Sequence, residues 1–209
     1  NLILNDNEGD RPVVVVEADE FDRSFLQLSP DLAIVTTVDP DHLDIYSDQA
    51  DFEQTFREFI DKVPKEGLLV YNKKACTISL DGVVAPHVSY GLIEGEIQAK
   101  NIKVIDGEQV FDYHGNKTVK GLHLALPGMH NVQNMLSAIS VCLEVGVSVD
   151  KIKESVKAYR GVKRRFEYII KSEEIIYVDD YAHHPSELEA LISSLRHLFP
   201  GRKITLVFQ

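Results

Sequence analysis

Cysteine is scarce in this chain of 209 residues, with only Cys76 and Cys142 present. Two thiols in unrelated contexts do not make a disulfide framework, so a reducing cytoplasm is the expected compartment. No apolar run approaches the length of a membrane span, which argues against membrane insertion. Basic residues are few where acids are many. Residues 1–61 hold 3 Lys+Arg against 16 Asp+Glu, a balance of −13 within a net charge of −11, and the remainder stands at +2. Nucleic acid needs a basic face and finds none in that distribution. The sequence also contains no G-x-x-x-x-G-K-[ST] loop, no G-x-G-x-x-G loop, no C-x-x-C and no G-x-S-x-G. Those absences leave this stretch without a phosphate cradle, a dinucleotide fingerprint, a dithiol pair or a serine-hydrolase elbow.

What is present reads as α/β. Val13–Val16 is four β-branched residues in a row, expected as a strand buried on both faces. Leu32–Val38 and Leu68–Tyr71 read as further strands, with Asp51–Val63 between them as a helix capped by Asp51 and carrying Phe52, Phe56, Phe59 and Ile60 at helical spacing. That rhythm predicts a parallel, two-sided sheet. Residues 76–126 differ. Alternating segments at Ala99–Ile105, Gln109–His114 and Lys117–Ala125, punctuated by Asp106-Gly107 and Gly115-Asn116, predict a small antiparallel addition. Helices are expected over Asn131–Val145 and Val149–Tyr159, split by Gly146, and a linker at Arg160–Lys163. Strands near Arg165–Ile170 and Ile175–Val178, a helix near Pro185–Leu198 and a strand near Ile204–Phe208 would open a second α/β unit.

Chemistry concentrates at the expected strand ends. Ile175–Pro185 runs from an apolar strand into Asp179, Asp180, Tyr181, His183 and His184, then a proline suited to the first turn of a helix. In open α/β sheets, ligands bind beyond the carboxyl ends of strands. A structural alternative is that Asp180 and His184 merely pair and close the loop. Glu17-Ala18-Asp19-Glu20 follows the valine run, and Asp39–Asp44 with His42 follows the next strand. The acids are either a solvated surface or holders of a cation such as Mg²⁺, and His42 is either a ligand or a loop histidine. Asn131 and Asn134 share a helical face, and an amide suits the edge of an adenine ring. Capping would account for Asn131 alone. Lys163-Arg164-Arg165 places guanidinium groups, which suit phosphate and ribose oxygens, just past the linker.

Five segments together resemble the Mur ligase family of ATP-dependent amide ligases. They are Glu17–Asp22, Asp39–Asp44, Gly128–Asn134, Gly161–Glu167 and Asp179–Pro185, in that family's order and at compatible spacings. The resemblance implies residues 1–162 as a P-loop-kinase-like central domain that is incomplete and carries the small antiparallel region. Residues 163–209 would be the start of a Rossmann-like C-terminal domain. Glu17 and His42 are then the expected magnesium ligands, and His130, Asn131 and Asn134 line an adenine pocket. Arg165 and Asp180 hold ribose and phosphates. Tyr181 and His183, with His184 nearby, face the incoming amino acid as the catalytic group. The absence of any lysine before Lys62 matches the branch that lacks a carbamylated lysine. That branch joins L-alanine to UDP-N-acetylmuramate through an acyl phosphate, using ATP and Mg²⁺, and a monomer or weak homodimer is expected. A branch attaching a preformed peptide to the same nucleotide sugar, and a non-catalytic nucleotide-binding module, are the alternatives. The piece on its own is expected to be inactive, for want of a phosphate cradle.

Overall fold

The computed structural model describes residues 2–4, 13–39, 45–105 and 107–208. Two compact units divide them, Asn1–Leu69 with Ala75–His87, and Val70–Lys74 with Val88–Gln209.

In the first unit, helix α1 (Gln49–Ile60) starts where the Asp48 carboxylate accepts the Asp51 N–H at 2.9 Å. The cap is therefore Asp48, and the expected Asp51 has another task. Its Oδ2 accepts the Ser47 N–H at 3.0 Å and the Arg23 guanidinium at 2.6 Å. Those contacts, the Ser47 N–H foremost and then Arg23, hold the Asp51 carboxyl below the usual carboxylate range. The aromatic face of α1 buries Phe52 and Phe59. Phe25 stacks on Phe59 at 4.9 Å and meets Phe56 edge-on at 5.2 Å, while Tyr46 meets Phe52 at 4.8 Å. Each fully buried aromatic stabilises by roughly 1.5–3 kcal/mol. Beyond α1 the chain returns parallel to the strand Leu32–Val35: the Leu68 N–H donates to the Asp31 carbonyl at one end, and the Val38 N–H to the Ala75 carbonyl at the other.

The valine run behaves otherwise than expected. Leu2–Leu4 (β1) and Val14–Val16 (β2) form a separate antiparallel pair, apart from Leu32–Val35 (β3), and Val13 to Val16 are 37% to 59% exposed. A run of β-branched residues favours extended backbone, but whether its two faces are covered is decided by what packs there.

In the second unit, the later part of β4 (Leu68–Asn72) lies beside β5 (His87–Gly91), with Lys73 N–H donating to Tyr90. Strand β6 (Ile97–Ile105) joins β5 in parallel, then pairs antiparallel with β7 (Glu108–His114), which pairs antiparallel with β8 (Thr118–Leu124). This meander is the antiparallel addition that the turn residues predicted. Strand β7 alternates cleanly, burying Gln109, Phe111 and Tyr113. Helix α2 (Met129–Glu144) packs its Val132, Leu136, Ile139 stripe against this sheet, and α3 (Val149–Ala158) covers β8. Between them the Gly146 N–H reaches Leu143 and the Val147 N–H reaches Cys142, a Schellman stop. Ser148 then caps α3.

The final segment holds β9 (Glu167–Lys171) and β10 (Ile176–Asp179) as an antiparallel hairpin, followed by α4 (Pro185–Leu198) with Pro185 in its first turn. Residues 204–208, expected as a strand, form no ladder, and Val207 is 93% exposed. Strand propensity needs a neighbour to hydrogen-bond, and none lies alongside among the described residues.

Gly95 has φ of 120°, and a Cβ there would sit 2.9 Å from the Tyr90 carbonyl carbon. Gly107 has φ of 80° with open space around it. Gly95→Ala should therefore destabilise the chain by more than the roughly 1–2 kcal/mol of conformational strain expected for Gly107→Ala. Urea unfolding midpoints check the ordering.

Candidate active site

Two of the singled-out segments, Gly161–Glu167 and Asp179–Pro185, meet because β9 and β10 are a hairpin whose open ends lie side by side. Asp180 ties them: its Oδ2 accepts the Phe166 N–H and its Oδ1 accepts the Ala182 N–H, each at 2.7 Å. The Tyr181 N–H returns to the Arg164 carbonyl at 2.7 Å. Arg164 and Phe166 have φ of 59° and 51°, a region side chains rarely adopt. Burial of Phe166 and these main-chain bonds hold that conformation. The Arg164 guanidinium stacks over the Tyr181 ring at 5.1 Å and stands 3.8 Å from the Asp179 carboxylate. Arg165 is exposed and makes no ion pair with any described residue.

Tyr181 and His183 meet edge-to-face at 5.2 Å, and His183 Nδ1 lies 3.0 Å from the Tyr181 carbonyl. His184 occupies the N-cap of α4 in a capping-box arrangement with Glu187. Glu187 Oε2 accepts the His183 N–H at 3.1 Å and the His184 N–H at 3.3 Å. Asp180 thus accepts main-chain N–H groups from both segments.

At the start of α2, Gly128 takes φ of 96°, and a Cβ there would meet the His130 ring at 2.4 Å. The imidazole is folded back over the glycine. Desolvation by the surrounding protein holds its pKa below the ordinary histidine value, and the charge of Asp180 opposes this. Asn131 is not the cap; its Nδ2 donates to the Pro127 carbonyl at 2.6 Å and closes the turn before the helix. Asn134 is exposed on the same face.

In the first unit, Glu17 is exposed just after β2. Pro40, Asp41, His42, Leu43 and Asp44, and with them the other expected metal ligand, lie outside the described residues. Among the described residues no group of three or more His, Cys, Asp or Glu side chains is arranged to hold a metal ion. A cleft of about 120 Å³ is lined by Glu20, Thr36, Thr37 and Asp39 over Phe25 and Phe52. Ligand pockets usually measure about 300–1,000 Å³, so this cleft alone encloses nothing as large as a nucleotide. Also among the described residues, no helix is long and apolar enough to cross a membrane.

Arg164 and Asp179 stood in the segments noted for their chemistry but were given no role of their own, and Glu187 was not singled out at all. Glu187 carried a signal, since an acid three residues past the N-cap before an apolar run marks a capping box. Arg164 carried none that separates it from Arg165.

The Mur ligase middle-domain model matches residues 2–142, and the Mur ligase glutamate-ligase-domain model matches 164–209. The chain belongs to the Mur ligase family. Its Mur ligase relatives include the UDP-N-acetylmuramate–L-alanine ligase of Cytophaga hutchinsonii, 45% identical over 100% of this chain and 45% of the relative. The protein of that name in Christiangramia forsetii is 43% identical over 100% of this chain and 44% of its own length. The chain therefore spans less than half of these relatives. Among solved structures, UDP-N-acetylmuramate–alanine ligase from Thermotoga maritima superposes with a TM-score of 0.74 at 28% identity, over 90% of this chain and 43% of that one. MurF from Acinetobacter baumannii shares the fold, with a TM-score of 0.66 at 20% identity over 80% of this chain and 37% of its own.

His130 should titrate below the usual histidine value of about 6.5, and Asp180→Asn should lower its midpoint further by removing the opposing charge. With the folded pKa depressed, the unfolded chain binds the proton first. Stability should accordingly fall as pH drops below about 6.5 and be fully present above it. Histidine NMR titration of the wild type and the variant measures both.

Proposed function

We propose that this chain is the ATP-handling middle and the opening of the C-terminal part of an ADP-forming ligase that joins L-alanine to UDP-N-acetylmuramate in cell-wall precursor synthesis. The observation that carries this reading is similarity, at 45% identity over the whole chain, to a ligase of that name. Residues 1–162 belong to the ATP-binding domain and 163–209 to the C-terminal domain, in a cytoplasmic enzyme that is a monomer or weak homodimer.

Bound ATP and Mg²⁺ would supply the phosphoryl group and its charge neutralisation, turning the lactoyl carboxylate of the sugar into an acyl phosphate open to the alanine amine. The residues present fit such groups. Glu17, exposed past β2, offers the hard oxygen a magnesium ion takes, with His42 as its partner ligand. The exposed Asn134 amide has a donor and an acceptor for an adenine edge, beside the His130 ring, while Asn131 keeps the turn in shape. Arg165 is solvent-facing and unpaired among the described residues, ready for ribose and phosphate oxygens. Each Asp180 oxygen has a second lone pair for a ribose hydroxyl while anchoring the loop. Tyr181, His183 and His184, set at the N-terminus of α4, face the amino acid. Their task is orientation, which can account for several orders of magnitude in rate.

The complete protein, of which this chain is part, should release ADP from ATP and UDP-N-acetylmuramate only when L-alanine is supplied. Turnover only with a preformed tripeptide would move it to the peptide-attaching branch, and none with either would favour a binding module. In that protein Asn134→Ala should raise the KM for ATP about tenfold, the worth of one good hydrogen bond. An unchanged KM removes Asn134 from the adenine site.

A further inference from the structure

His183 is held from two sides. A carbonyl oxygen only accepts, so the 3.0 Å approach of His183 Nδ1 to the Tyr181 carbonyl requires the proton to sit on Nδ1. Glu187 Oε2 lies 3.6 Å from the same Nδ1 and favours a proton there. The same carboxylate oxygen holds the His183 and His184 main-chain N–H groups, which fixes the loop that carries the ring. The Tyr181 ring, against the His183 edge, is itself clamped by Arg164. With Nδ1 protonated and engaged, Nε2 of a neutral ring carries a bare lone pair. A group that only accepts cannot receive a hydrogen bond from a carboxylate, but it suits an ammonium or amine.

We propose that Glu187 is a positioning residue that, together with the Tyr181 carbonyl, locks His183 in the Nδ1–H tautomer. Nε2 then stands as the acceptor for the amino group of the incoming amino acid. The inference rests on the ligase reading for the identity of that ligand. It does not rest on it for the tautomer, which is a property of the free protein. The consequence is directional. His183 reads the amine end of the amino acid, and its carboxylate must be met elsewhere.

The test uses the complete protein and two variants. Glu187→Gln keeps a carbonyl acceptor for the two main-chain N–H groups but removes the charge near Nδ1, and Glu187→Ala removes both. Side-chain ¹⁵N spectra of the wild type should show His183 protonated at Nδ1, with that population reduced in Glu187→Gln and reduced more in Glu187→Ala. In turnover, Glu187→Ala should raise the KM for L-alanine about tenfold while the KM for ATP moves less than about twofold. Glu187→Gln should fall between. Loss of thermal stability with an unchanged ¹⁵N signature and an unchanged KM for L-alanine would make Glu187 a helix cap alone and overturn the proposal. A wild-type spectrum showing the proton on Nε2 would overturn it as well, whatever the activity. If the wild type spends no ATP on alanine, the ligase reading fails on its own, and the spectra still decide the tautomer.

Discussion

The carboxylate of Asp180 joins the N–H of Phe166 to the N–H of Ala182, and much else in the candidate site depends on that pair of bonds. Main-chain bonds to a charged acceptor contribute about 1.5–3 kcal/mol each, comparable with the roughly 1–3 kcal/mol of strain in a side-chain-bearing residue held at positive φ. The left-handed turns at Arg164 and Phe166 are therefore sustained without needing glycine. With the turns set, Arg164 comes over Tyr181, Tyr181 stands against His183, and the chain enters α4 with its first imidazole already oriented. A single carboxylate thus helps place a cation, a phenol and two histidines by fixing the backbone that carries them.

His130 shows the complementary strategy. Its ring is folded onto Gly128, where any side chain would collide. Desolvation lowers its pKa, and the charge of Asp180 opposes that shift. The same acid that shapes one loop therefore also acts, against the larger effect of desolvation, on the imidazole at the start of α2. The two singled-out motifs that contain Asp180 and His130 are coupled through charge.

Much of the fold was legible because local signals agreed with one another. Alternation plus Asp106-Gly107 and Gly115-Asn116 located the β6–β8 meander, and Gly146 located the break between α2 and α3. The cap of α1 was expected at Asp51, three residues too late. Asp48 and Asp51 are both good caps, and the extended backbone at Asp48 makes it the one. The valine run foretold a strand but not its uncovered faces, and residues 204–208 had the composition of a strand without a neighbour. Strand β5 had too short a signal to be seen. In the candidate site, the residue types of the Asp179–Pro185 cluster were plain, yet its closure on Phe166 spans 14 positions. That closure is visible only once Glu167–Lys171 and Ile176–Asp179 are recognised as a hairpin. The metal-ligand expectation at His42 falls outside the described residues.

Strand β2 carries a hazard along with its sequence. In this chain taken by itself, Val14, Val15 and Val16 are 45–59% exposed, and β-branched runs of low charge are the raw material of edge-to-edge assembly. Glu17, Asp19 and Glu20 come immediately after it. Like charges stacked in register repel, so these acids act as gatekeepers, and the cost of neutralising them would be colloidal as well as chemical.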